Sequence, residues 1–163
     1  MKPLPIVTIP SPVLRKKTTT IKDPLSDDVQ KIIPRMFAAM HHAQGIGLAA
    51  PQIGLSCRIA VIEIARTRYV LINPILSALS REKVLFEEGC LSISQKRFDI
   101  IRSIRVTVRY TDEHGEKRKM KADGLLAIAL QHETDHLDGI VIADRYAQQK
   151  KLRTTIGHIL EKL

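Results

Sequence analysis

Two cysteines in 163 residues, Cys57 and Cys90, are too few for a disulfide framework, and residues 1–15 lack the charged start and apolar core of a secretory leader. Reduced thiols and a cytoplasmic location are expected. Long apolar runs are also missing. Stretches such as residues 125–130 fall far short of the roughly 20 residues a membrane-crossing helix needs, so no membrane partner is expected. No internal repeat, low-complexity tract or Ser/Gly linker divides the chain, which reads as a single domain over 1–163 with one core. Acidic residues are the scarcer charge, 17 against 26 basic ones, for a net charge of +9. A basic balance favours anionic partners such as RNA, and is equally what a merely solvated surface gives.

The most informative segment is His132-Glu133-Thr134-Asp135-His136. On a helix, positions four apart share a face, so both imidazoles reach one metal ion while Glu133 projects beside them toward a water. A helix is expected here: Asp123 stands as N-cap, Leu125, Ala129, His132 and His136 recur with helical spacing, and Gly139 stops it. Histidines on an apolar face also occur as hydrogen-bonded core residues, so a third ligand is required. Cys90, in Glu88-Gly89-Cys90-Leu91-Ser92, is the leading candidate, the other reading being a small buried hydrophobe. One thiolate with two imidazoles leaves a fourth position open, the mark of a catalytic centre. Cys57, in a strand-like apolar run, reads as core. A third segment, Gly45-Ile46-Gly47-Leu48-Ala49-Ala50-Pro51-Gln52, allows close backbone approach, and the Gln52 amide can donate to a developing oxyanion. It lacks the lysine and Ser/Thr of a P-loop.

With these three segments in the same order and with similar separations, the chain resembles the peptide deformylases, which remove the N-formyl group from newly made bacterial proteins. The resemblance implies that Cys90, His132 and His136 bind the metal, that Glu133 is the acid/base, and that Gln52 and the Leu91 N–H form the oxyanion site. It further implies that Ile46, Gly47 and Gly89 pair with the substrate backbone. Phe86, Leu125, Ile128, Ala129 and His132 would line the methionine pocket, with Arg97 at its mouth. By the same resemblance the metal is Fe2+, which Zn2+, Ni2+ or Co2+ could replace, and the substrates are N-formylmethionyl nascent peptides. Two departures stand out: Ser94 replaces a frequent proline and is expected to loosen the strand after Cys90, and Phe86 is bulkier than the usual aliphatic residue.

The expected architecture is α+β, with antiparallel and mixed strands packed around the metal-binding helix and amphipathic helices at both ends. The N-terminal helix is expected over 25–42, capped by Ser26 or Asp23, with a kink or late start at Pro34. Strands are expected over 58–64, 69–73, 84–88, 105–110 and 117–122, with a hairpin turn at 112–115. Over 148–163 an amphipathic helix carries Lys150, Lys151, Arg153 and Lys162, and resemblance implies ribosome contact there; a monomer is expected. Other readings are another metal-dependent amidase or peptidase with a His-Glu-x-x-His helix, a metal-bound but inactive binding protein, and an RNA-binding module with a structural metal.

Overall fold

The computed structural model describes residues 3–160, with side chains described as far as Leu152. Helix α1 (Asp27–His42) is followed by strands β1 (Gly47–Ala49), β2 (Ile59–Ile64), β3 (Thr67–Leu79), β4 (Lys83–Cys90), β5 (Ile93–Ser103), β6 (Arg105–Thr111) and β7 (Lys117–Asp123). Helices α2 (Gly124–Leu137) and α3 (Ile142–Leu160) complete the chain. Five strands form one sheet in the order β1-β2-β3-β6-β7, and β4 pairs with β5 in a separate hairpin. The α+β expectation holds. Both sheets are antiparallel throughout, so the mixed pairing expected from the sequence reduces to one isolated parallel bridge, Thr19 to Cys57. No helix among the described residues is long and apolar enough to cross a membrane.

Alternation along the strands divides the core. Ile59 and Val61 of β2, with Val70 and Ile72 of β3, meet Ile33, Met36, Phe37 and Met40 of α1. The opposite-facing Ile62 and Leu71, joined by Val106, Val108 and Ala122, meet Ala127, Ala129 and Leu130 of α2. Helix α2 is therefore covered by a sheet along one side. Ten of its fourteen residues are buried, including Gln131, Glu133, Asp135 and His136, so its polar groups are enclosed and must find partners within the protein.

Several local expectations change. Helix α1 runs unbroken through Pro34, which is exposed and so leaves the apolar face of the helix intact. Ser26 and Asp123 hold the N-cap positions of α1 and α2, but neither side chain makes the capping bond; the Ser26 hydroxyl donates to the Asp23 carbonyl instead. Strand β3 continues past Asn73, because a bulge there absorbs Pro74. Asn73 takes φ 52° and its side chain pairs with both the N–H and the carbonyl of Ile21. Strand β5 runs through the exposed Ser94 without interruption. The C-terminal helix begins at Ile142, six residues before the expected start. Cys57 is half-buried against the α1 core, and burial pushes its thiol pKa up.

Candidate active site

Helix α2 and the end of β4 bring three ligating side chains together. The donor atoms of Cys90, His132 and His136 all lie within 4.8 Å of one another, the one such cluster among the described residues. Cys90 Sγ is 3.2 Å from His136 Nε2. An ion with bonds of about 2.0 to 2.3 Å can bridge such a span. Cys90 reaches this point because the β4–β5 register slips between Gly89 and Cys90, ending the regular ladder where the strand passes α2.

A buried ionic chain holds the cluster from behind. Glu88 Oε2 lies 2.7 Å from His132 Nδ1, which leaves Nε2 for the site. Arg102 grips the same carboxylate through Nε at 2.6 Å and Nη2 at 3.0 Å, and its Nη1 reaches Asp135 at 2.6 Å. Burial opposes ionisation of Glu88, but the hydrogen bonds from His132 and Arg102 prevail and hold its pKa below the usual carboxylate range. Burial also opposes a charge on His132. Hydrogen bonds with Cys90 and Glu88 and the Glu133 charge outweigh that and push its pKa up to about 10. These surroundings favour positive charge, as a metal requires. His136 is kept well below its ordinary value by burial and by the charges of His132 and Arg102, so it stays neutral, the ligating form.

Glu133 points away from this chain. It is 4% exposed, and its Oε2 has no hydrogen-bond partner. Burial, reinforced by the Glu88 and Asp135 carboxylates, pushes its pKa up to about 7. A carboxylate poised near neutrality suits general acid/base work. Gln52 is oriented by accepting the Ala49 N–H on Oε1 at 2.8 Å, which turns its Nε2 to within 3.8 Å of Cys90 Sγ.

These groups open onto a cleft of about 620 Å³. The structure places Ile46, Gly47, Gln52, Phe86, Gly89, Cys90, Leu91, Arg97, Leu125, Ala129, His132 and Glu133 on its wall. His136 and Ile128, both buried, do not line it. Arg97 extends to Glu87 at 3.4 Å on the open side, and Phe86 is 36% exposed at the rim. Sequence reasoning gave no role to Arg102 or Asp135, nor to Glu88 beyond its motif. The one available signal was Asp135 lying between the two histidines on a helix that buries most of its surface. Gln44 and Gln95, also on the cleft wall, adopt positive φ of 55° and 59°, with nothing in their side-chain chemistry to announce it.

An α+β fold wrapped around a buried His-Glu-x-x-His helix, with a Cys/His/His donor cluster beside an unpartnered glutamate at the floor of one cleft, defines a hydrolytic enzyme of the metal-dependent class. Residues 3–152 match the polypeptide deformylase family, and the chain belongs to that family. The peptide deformylase of Orientia tsutsugamushi is 36% identical over 168 residues, spanning 94% of this chain and 92% of that protein. The structure of the Ehrlichia chaffeensis peptide deformylase in complex with actinonin superposes with a TM-score of 0.87 at 35% identity, covering 99% of this chain and 98% of that one. A Met-Ala-Ser-bound class I type b peptide deformylase from Acinetobacter baumannii gives 0.84 at 29% identity, over 88% and 98% respectively. The enzyme removes the formyl group from the N-terminal methionine of nascent proteins, in a metal-dependent reaction.

Proposed function

We propose that Cys90, His132 and His136 hold one divalent ion, Fe2+ in the cell, and that Glu133 carries the proton in deformylation. The observation that carries this reading is the buried, unpartnered Glu133 carboxylate beside the Cys/His/His cluster. The donor set fits a first-row divalent ion, since a thiolate with imidazoles accommodates Fe2+, Zn2+, Ni2+ or Co2+. When bound, the ion supplies Lewis acidity, polarising a carbonyl and acidifying water. Glu133 takes the proton from the attacking water and delivers it to the leaving α-amine as formate departs. The Gln52 amide, fixed by Ala49, and the Leu91 N–H donate to the developing oxyanion. The substrate backbone pairs as an added strand with Ile46 and Gly47 at the free edge of β1 and with Gly89 opposite. Phe86, Leu125 and Ala129 form the apolar slot for methionine, with Ile128 backing it and Arg97 at the mouth. The A. baumannii relative with bound Met-Ala-Ser supports such a slot. Chain 1–163 acts as one catalytic domain, a cytoplasmic monomer whose basic C-terminal helix meets the ribosome.

Methionine is preferred over aspartate or lysine at the first position, whose charges would be stranded in the slot. Comparing kcat/KM for formyl-Met, acetyl-Met and formyl-Lys peptides tests this. Formyl-Met must lead; comparable values for all three would point to a broad amidase.

A further inference from the structure

Helix α3 is fastened to the rest of the protein in two different ways. Among the described contacts, several only dock it: Gln149 pairs with the Ile101 N–H and carbonyl at 2.9 and 3.1 Å, Tyr146 packs on Phe98 with ring centroids 5.2 Å apart, Asp144 accepts from Arg15, and Ile142 and Ala143 join the apolar cluster of Leu14 and Ile93. None of these touches a side chain of α2. Arg145, in the first turn, is different: its Nε is 3.0 Å from Asp135 Oδ2 and its Nη2 bonds Oδ1 of the same carboxylate.

We propose that Arg145 is a positioning residue for the metal centre, setting the orientation of His132 through Asp135, Arg102 and Glu88. The inference rests on the ligand assignment proposed above. Its basis is that each carboxylate in the chain is shared. Asp135 Oδ2 accepts from both Arg145 Nε and Arg102 Nη1, and Glu88 Oε2 meets both Arg102 Nη2 and His132 Nδ1. Side-chain exposure falls along the chain from 32% for Arg145 to 11% for Asp135, 5% for Arg102 and 3% for Glu88, so the inner links are closed to water and depend on their protein partners. Charge-assisted, bidentate links in such surroundings transmit orientation as well as energy. Without Arg145, Asp135 Oδ1 loses its partner and Oδ2 keeps only Arg102, so the guanidinium that grips Glu88, and through it the His132 ring, is anchored at its far end by a carboxylate free to turn. The first turn of α3 thereby belongs to the outer support of the centre, although it lies beyond the family's three motifs.

Cobalt(II) added to the metal-free protein tests this independently of turnover, through its visible absorption and through its dissociation constant measured against a competing chelator. Arg145→Gln should weaken cobalt binding about 3- to 10-fold and shift the absorption bands, at or below the roughly 10- to 100-fold typical of a group bonded directly to a metal ligand, because Arg145 acts through Asp135, Arg102 and Glu88. Arg145→Lys, which keeps the charge but not the paired contacts, should fall between it and the parent. Gln149→Ala should lower the thermal midpoint while leaving cobalt affinity and spectrum at parental values. If Arg145→Gln binds cobalt as the parent does, or Gln149→Ala weakens binding equally, Arg145 merely docks the helix and the inference is overturned. Cys90→Ala distinguishes the two layers. Undiminished cobalt binding in that variant overturns the ligand assignment itself, and the inference with it.

Discussion

Gly47→Ala offers the sharpest structural perturbation of the proposed chemistry. A Cβ at Gly47 would stand 2.3 Å from Glu133 Oε1, 2.9 Å from its Cδ and 3.2 Å from its Cγ. Non-bonded heavy atoms settle at about 3.5 to 4.0 Å, so the carboxylate or the strand must yield by roughly 1 Å. The strand resists, since Gly47, Leu48 and Ala49 are each in register with β2. Glu133 therefore moves. A misplacement of about 1 Å in a reacting group costs on the order of 10²-fold in rate. Overpacking of this kind costs about 1 to 3 kcal/mol, and at this chain length each kcal/mol lowers Tm by about 2 to 4 °C. The assay is kcat for formate release from formyl-Met-Ala at matched metal content, beside thermal unfolding. Gly89→Ala is the control, because a Cβ there meets nothing nearer than Arg97 Cγ at 4.0 Å. It should leave Tm unchanged and raise KM through crowding of the substrate backbone. A Gly47→Ala enzyme with kcat within twofold of the parent would refute the placement of Glu133 as the working carboxylate.

Glu133→Gln should retain the metal and lose about 10² to 10⁴ in turnover, since the near-isosteric amide cannot accept the water's proton. The same variant exposes the perturbed titration. A carboxyl raised to about 7 in the folded metal-free protein, from 4.5, stabilises that state at low pH and loses the contribution as pH rises through this window. Urea unfolding should accordingly show metal-free Glu133→Gln gaining on the parent between pH 4.5 and 7, and a pH-independent difference would remove the shift. Arg102→Met leaves buried Glu88 with His132 alone and Asp135 with Arg145 alone, and losing the shared guanidinium should cost about 3 to 5 kcal/mol in urea unfolding; a loss below 1 kcal/mol would show that the chain is not holding charge.

What could be read from the sequence was whatever depends on short-range period. The i, i+4 histidines and the apolar residues around them predicted α2 to within a residue, and alternation located most of the strands. Contacts across long sequence separations were not legible. Arg102 lies 33 residues from Asp135 and 14 from Glu88, and nothing local distinguishes it from the other arginines of a basic chain. The β2–β3 hairpin turns on Ala65 and Arg66, both at positive φ, without the Asn-Gly or Asp-Gly that normally signals such a turn. Strand β5 carries Gln95, Lys96 and Arg97 along the cleft wall, where exposure on both faces erases the alternation a strand usually shows. Residues 161–163 of the expected C-terminal helix lie outside the described residues.

Metal content of the parent and of Cys90→Ala, each prepared anaerobically with iron and freed of loose ions, tests the central claim most directly. One ion per parent chain is predicted, with near-complete loss in the variant, because two imidazoles alone give the ion too few anchors. Equal stoichiometry in the two proteins would contradict the account, since it would take the thiol out of the centre around which the cleft, the ionic chain and Glu133 are arranged.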